Sequence, residues 1–192
     1  MTKRILLING NPKKKSFTGE LAKKYQLAAK EKYDVRIHQL ADMVFDPNLD
    51  TGYDTPQELE ADLLSFQESL KWADHIVIFT PIWWGGLPAK LKGVFDRTFL
   101  PGFAFKYHEG KSYPEKLLKN KSARIVMIMD TPPWYYRLLQ GAPALKQLKI
   151  MTLKFSGYTN IRDTMIGPIL GASETQQNKW IKQVHALGMK GL

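Results

Sequence analysis

No cysteine occurs in the 192 residues, so disulfides, thiolate metal sites and a thiol nucleophile are excluded. Long hydrophobic runs are missing too. The stretch Ile5-Leu6-Leu7-Ile8 is far too short to span a bilayer, and it runs into Asn9-Gly10-Asn11 rather than a signal-cleavage site. A reducing, cytoplasmic location without membrane insertion is the expectation. Histidine is scarce: His38, His75, His108 and His185 are scattered without ligand spacing, so no metal site is expected. Neither a Gly-x-Gly-x-x-Gly nor a Walker pattern is present, which argues against an ordinary dinucleotide fold or a nucleotide triphosphatase.

What is present has a globular balance, 44% hydrophobic and 24% charged, in a length that suits one domain over residues 1–192. The net charge of +10 comes in blocks. Residues 1–36 carry +7, residues 37–75 carry −8 and the remainder +11. A nucleic-acid protein would show a continuous basic stripe interleaved with aromatics, so no nucleic-acid partner is expected. A basic chain does favour anionic ligands, phosphorylated cofactors among them.

Apolar periodicity alternates between two kinds of segment. Short β-rich runs cover Arg4–Ile8, Val35–Gln39, His75–Thr80, Ala123–Met129 and Asn160–Ile166. Helical spacing covers Thr18–Lys32, Pro56–Ala73, Pro88–Phe99, Ala142–Phe155 and Glu174–Leu187. This alternation predicts an α/β, doubly wound, five-stranded parallel sheet with helices on both faces, in the flavodoxin-like order 2-1-3-4-5. Ser16 or Thr18 is expected to cap the first helix, and Gly157 to stop the helix before the last strand.

In such a sheet ligands bind outside the carboxyl ends of the strands, where three irregular segments carry chemistry. Asn9 to Thr18 is a turn of small and polar residues ending at a helix, read either as a plain capped turn or as a phosphate cradle. Thr80-Pro81-Ile82-Trp83-Trp84-Gly85-Gly86 sets two indoles and two glycines past a buried strand. That composition suits a flat heterocycle approached by backbone amides, or else a surface or interface patch. Asp130-Thr131-Pro132-Pro133-Trp134-Tyr135-Tyr136-Arg137 follows the fourth strand, with a double proline expected to freeze the backbone and aromatics facing the same cleft. Tyr135, Tyr136 and Arg137 are the candidate catalytic groups, able to orient an acceptor or stabilise negative charge.

The stretch Pro81-Ile82-Trp83-Trp84-Gly85-Gly86-Leu87-Pro88-Ala89-Lys90-Leu91-Lys92-Gly93-Val94-Phe95-Asp96-Arg97 resembles the P-x-x-W-x-G-x-P-A-x-L-K-G-x-F-[ED]-R pattern of the DT-diaphorase-type NAD(P)H:quinone oxidoreductases. The likeness extends to Asn11…Ser16-Phe17 and to Phe103-Ala104-Phe105-Lys106-Tyr107, and the Pro-Pro-Trp-Tyr-Tyr-Arg segment marks a short bacterial type. The resemblance implies a homodimer in which NAD(P)H gives hydride to flavin N5 and leaves before a quinone-like acceptor takes two electrons. It implies that Asn11, Ser16, Phe17 and Thr18 hold the flavin phosphate. Pro81, Ile82, Trp83, Trp84 and Gly85 would hold the ring, with Thr131 and Pro132 flanking it. Phe105 and Tyr107, from the partner subunit, and Trp134 would meet the acceptor.

Two departures matter. The family's Thr-Gly-Gly is Thr131-Pro132-Pro133 here, and no histidine lies between His108 and His185 to assist a tyrosine in proton handling. The Ser16-Phe17 match leans towards FAD, while the compact length suits FMN. NADPH is the mild favourite over NADH because the chain is basic. Two other readings stand beside the enzyme: a flavoprotein ancillary subunit of a potassium-efflux system, and a one-electron carrier. Such carriers are usually strongly acidic, unlike this chain.

Overall fold

In the computed structural model, which describes residues 2–192, the first strand β1 (Arg4–Asn9) points Ile5 and Leu7 into one apolar layer and Leu6 and Ile8 into another. The strands β3 (His75–Pro81) and β6 (Ser122–Ile128) divide in the same way. Val77, Phe79, Val126 and Ile128 join the first layer, whereas Ile76, Ile78, Ile125 and Met127 join the second. Strands buried on both faces read as continuous apolar runs, and they need helical crossovers between parallel neighbours. The sheet runs β2 (Asp34–Gln39), β1, β3, β6, β7 (Thr159–Ile166), all parallel. Counting these five alone, the order is the expected 2-1-3-4-5. A two-stranded hairpin of β4 (Phe105–Lys106) and β5 (Glu115–Lys116) lies outside the sheet.

One face is covered by α1 (Phe17–Lys30) and α6 (Glu174–Met189), through Leu21, Tyr25, Trp180 and Val184. The other is covered by α2 (Ala61–Trp72), α3 (Ala89–Thr98) and a π-helical stretch Gln147–Lys154, through Leu63, Phe66, Leu91 and Leu148. Ser16 caps α1, its hydroxyl accepting from the Gly19 amide at 3.1 Å, while Thr18 lies inside the helix. Gly157 ends the π-helical stretch at φ 118°, against the Leu118 backbone.

Three expectations are corrected. The helix placed at Pro56–Ala73 begins only at Ala61, because Arg97 holds the Glu58 carbonyl and the carboxylate of the extended Glu60. The helix placed at Ala142–Phe155 is α5 (Pro143–Lys146) opening into the π-helix, where the Thr152 hydroxyl donates to the Gln147 carbonyl five residues back. The segment from Asp130 to Arg137, expected as an irregular stretch frozen by its double proline, enters a short helix, α4 (Pro133–Leu138). Its second proline takes the first helical position, where no amide hydrogen is needed.

The long connection before α2 docks on one face of α3. Arg97, 1% exposed, donates to the carbonyls of Asp46 and Glu58 and to the Glu60 carboxylate at 2.9 Å. One turn earlier, a Cβ on Gly93 would stand 2.4 Å from Cβ of Pro47. Gly93 and Arg97 therefore let the segment lie flat on the helix. Glu60 is 35% exposed, so breaking this half-buried pair together with the two carbonyl hydrogen bonds costs about 1–3 kcal/mol. Arg97→Met should lower the urea midpoint accordingly, and Arg97→Lys should recover under half, since one ammonium cannot span three acceptors. An unchanged midpoint in Arg97→Met would contradict this docking.

Candidate active site at the strand ends

Strand order reverses between β1 and β3, because β1 leads into α1 on one face and β3 into α3 on the other. Loops leaving such a point splay apart and open a crevice. Here the crevice is built by Gly10–Ser16, Ile82–Pro88 and Met129–Pro132.

The first loop is fixed by two buried asparagines. Asn9 takes the Asn11 amide on its side-chain oxygen at 3.3 Å and donates to Gln39 at 2.7 Å. Asn11 donates to the Thr18 hydroxyl at 3.3 Å and accepts from the Lys13 amide at 2.9 Å. Gly10 donates to the Phe79 carbonyl at 2.7 Å, and a Cβ there would meet Leu91 Cδ2 at 2.7 Å. The amides of residues 14–18 find no protein acceptor among the described residues. They lie at the positive end of α1 beside Lys13, Lys14 and Lys15, an arrangement suited to a phosphate. Both ends of Asn11 are occupied in shaping the loop. The Phe17 ring packs on Trp180 at 6.1 Å in the α1/α6 layer, which leaves only its amide facing the loop's work.

The second loop is a tight turn. Trp83 and Gly86 exchange hydrogen bonds of 3.1 and 2.9 Å, with Trp84 at φ 51° and Gly85 at φ 76°. Two consecutive left-handed residues define a type I′ turn, ordinarily built from Asn and Gly. A bulky residue there costs about 1 kcal/mol, yet Trp84 is fully exposed and gains no packing in return. The turn is held from below. Tyr136 donates to the Gly85 carbonyl at 2.8 Å and accepts from the Ala144 amide at 3.0 Å. Pro81, the buried last residue of β3, precedes Ile82, whose amide donates to the Ile128 carbonyl at 2.8 Å.

Ile82, Trp84, Gly85, Thr131, Tyr136 and Gln140 converge on an open cleft of about 630 Å³. Pro132 caps the start of α4 beside Thr131. The candidate catalytic groups separate. Tyr136 is buried with its hydroxyl engaged twice, and burial pushes its ionisation above the usual tyrosine range. Arg137 is ion-paired with Asp163 on β7, which also takes Lys149 at 3.4 Å. Trp134 is exposed and stands edge-on to the half-exposed Tyr135 at 5.8 Å.

Phe105 and Tyr107 do not line this cleft. Phe105 stands edge-on to Tyr107 at 5.6 Å and to Phe155 at 5.1 Å, and it borders a separate hollow of about 190 Å³ with Leu87, Phe99 and Met151. Sequence reasoning missed Phe155. Its only signal was an aromatic two residues before Gly157. It also missed Asn9 and Asp163, polar residues that hold the loop and α4.

Without the Tyr136 hydroxyl, the part-buried Gly85 carbonyl and the buried Ala144 amide lose their partner. Tyr136→Phe should therefore speed hydrogen exchange of the Ala144 amide by about tenfold or more, for a loss of about 1–3 kcal/mol. Exchange equal to that of the unmodified protein would show that the bridge carries no load.

A family model described as "Flavodoxin-like fold" matches residues 3–187. Among curated relatives, FMN-dependent NADH:quinone oxidoreductase 1 of Bradyrhizobium diazoefficiens is 30% identical over 60% of this chain and 54% of its own. NAD(P)H dehydrogenase (quinone) 1 of Cavia porcellus is 30% identical over 63% of this chain and 51% of its own. The chain spans about half the length of these curated relatives. Of solved structures, Smu.1420 from Streptococcus mutans UA159 is 28% identical with a TM-score of 0.83, covering 97% of this chain and 99% of that one. The NAD(P)H:quinone oxidoreductase from Methanothermobacter marburgensis shares the fold, with a TM-score of 0.80 at 19% identity over 100% of both chains. The family match takes in all five strands of the sheet and all three strand-end loops, and the chain belongs to the flavodoxin-like fold family.

Proposed function

We propose that this chain is a flavin-dependent NAD(P)H oxidoreductase that reduces quinones or similar electron-poor acceptors. One observation carries the reading: a free-amide cradle at residues 14–18 and an aromatic, glycine-bearing turn at residues 83–86 leave adjacent strands at the switch point. The cradle fits a phosphate, and the cleft beside the turn fits a flat ring. Bound there, a flavin supplies hydride acceptance from NAD(P)H and two-electron delivery to the acceptor.

FMN is favoured over the FAD suggested by Ser16-Phe17. The Phe17 ring is turned into Trp180, and the Bradyrhizobium relative is named for FMN dependence. The basic balance of the chain favours NADPH and its extra phosphate over NADH, although the open groove of about 590 Å³ beside the first loop sets Lys14, Lys15 and Lys23 against Glu20 and Asp42, with Lys14 paired to Asp42.

In this reading the amides of residues 14–18, with Ser16 and Thr18, hold the phosphate, and Asn11 shapes their loop. Pro81, Ile82, Trp83, Trp84 and Gly85 wall the ring, with Thr131 and Pro132 at its side. Tyr136 and Arg137 are positioning residues, the first for the turn and the second for α4. Tyr135, whose hydroxyl has no protein partner among the described residues, orients the acceptor together with Trp134.

A homodimer completes the site. Trp134, Leu138, Leu139, Ile150 and Met151 are exposed along α4 and the π-helix, more apolar surface than scattered residues account for. Pairing through this face would bring Phe105, Tyr107 and Phe155 of one subunit towards the other's cleft. A cytoplasmic setting belongs to the same proposal; among the described residues no helix is long and apolar enough to cross a membrane.

The test is the spectrum of the purified protein during anaerobic addition of NADPH, with sedimentation of the same sample. Flavin bands should bleach within seconds and return on adding a quinone, in a species of twice the chain mass. A protein that takes up neither FMN nor FAD, or whose flavin NADPH leaves oxidised, would overturn the reading.

A further inference from the structure

Tyr136 grips the chain beyond α4 twice. Its carbonyl takes the Ala142 amide at 2.9 Å, and its hydroxyl takes the Ala144 amide at 3.0 Å. Between α4 and α5 the backbone passes through two consecutive left-handed residues, Gly141 at φ 71° and Ala142 at φ 47°. Glycine adopts that conformation freely, whereas alanine is strained there. Such strain persists only where the surroundings enforce it, and Ala142 is buried at 4% exposure. The turn is therefore packed as well as bonded.

Gln140 is the residue this turn holds against the cleft. Its amide and that of Leu139 donate to the Tyr135 carbonyl, at 3.2 and 2.9 Å, and so close the last turn of α4. Gln140 borders the cleft of about 630 Å³ together with Ile82, Trp84 and Gly85 from the aromatic turn and Thr131 from the third loop. Its main chain is fixed, while its carboxamide makes no hydrogen bond among the described residues.

The other polar groups around the cleft are engaged or of the wrong kind. The Tyr136 hydroxyl is used twice, and the Ile82 amide is bound to the Ile128 carbonyl. Asp130 takes the Leu170 amide at 2.8 Å, and a carboxylate has no hydrogen to offer a carbonyl oxygen. Trp84 and Thr131 wall the ring in the proposed reading. Gln140 Nε2 is left as the donor for whatever shares the cleft with that ring. A carboxamide donates and accepts without carrying charge.

We propose that Gln140 is a specificity-determining residue for the electron acceptor, its Nε2 donating to a ring carbonyl oxygen. The cleft then takes uncharged rings that bear a carbonyl in preference to acceptors without one. This rests on the oxidoreductase reading and deepens it by naming the group that meets the quinone. Reduction of a quinone to a hydroquinone adds a hydride, which originates on NADPH, and a proton from water. Gln140 supplies neither and keeps its own hydrogens throughout.

The test compares the flavin-loaded protein with two variants. Gln140→Met keeps the length of the side chain without the donor. Gln140→Glu keeps the shape and, at pH 8, presents only acceptor oxygens. Calorimetric titration with menadione in the absence of NADPH should give a dissociation constant about tenfold weaker in both variants. In turnover, the ratio of kcat/KM for menadione to that for ferricyanide, which has no ring carbonyl, should fall by about the same factor in Gln140→Met. A side chain that merely fills space would move neither readout in that variant. Menadione bound equally by all three proteins, with flavin that NADPH still bleaches, would overturn this inference alone. Flavin that NADPH leaves oxidised in the unmodified protein would overturn the oxidoreductase reading and this inference with it.

Discussion

Burial of both faces of the three central strands is the constraint on which everything else rests. Because β1, β3 and β6 spend their side chains on two apolar layers, they leave little room for chemistry along their length. Polar groups gather where the strands stop, at Asn9, Thr80 and Asp130, and the backbone there must turn sharply to reach the next helix. Three adjacent strands stopping at one level put three loops side by side. The flavin reading follows from that crowding, since a cofactor with a phosphate at one end and a ring at the other needs two different loops at once.

Holding those loops still is the work of a few polar contacts. Asn9 and Asn11 tie the first loop to α1 and to β2. The Tyr136 hydroxyl joins the Trp84-Gly85 turn to the start of α5, and its neighbour Arg137 joins the same helix to β7 through Asp163. Thus α4 is fixed from two sides by successive residues. The left-handed Trp84 makes sense in that setting: a strained, solvent-facing indole is kept in place by bonds beneath it.

The fold was largely legible because its signals were local and mutually consistent. Each central strand is a short β-branched and apolar run, and each helix carries an apolar stripe, so order and layering followed. The errors lay where tertiary contacts override local preference. Pro56 has the look of a helix start, but the buried Arg97 guanidinium claims the Glu58 carbonyl and the Glu60 carboxylate that follow. Pro132-Pro133 has the look of a rigid loop, but the second proline opens a helix. The site was legible as a set of loops and less so as a set of roles. Nothing in Tyr135-Tyr136-Arg137 says which ring is buried, since one turn of helix decides it. Phe17 enters the phosphate site only through the family resemblance, whereas its ring partner, Trp180, lies far along the chain.

The central claim is that the first loop reads a phosphate while the second and third read a flat ring. Equilibrium binding of FMN and riboflavin to the flavin-free protein measures this directly. Charge-assisted hydrogen bonds contribute about 1.5–3 kcal/mol each, so FMN should bind at least about a hundredfold more tightly than riboflavin. Equal affinities would mean that the amides of residues 14–18 do not hold a phosphate, and would contradict the account.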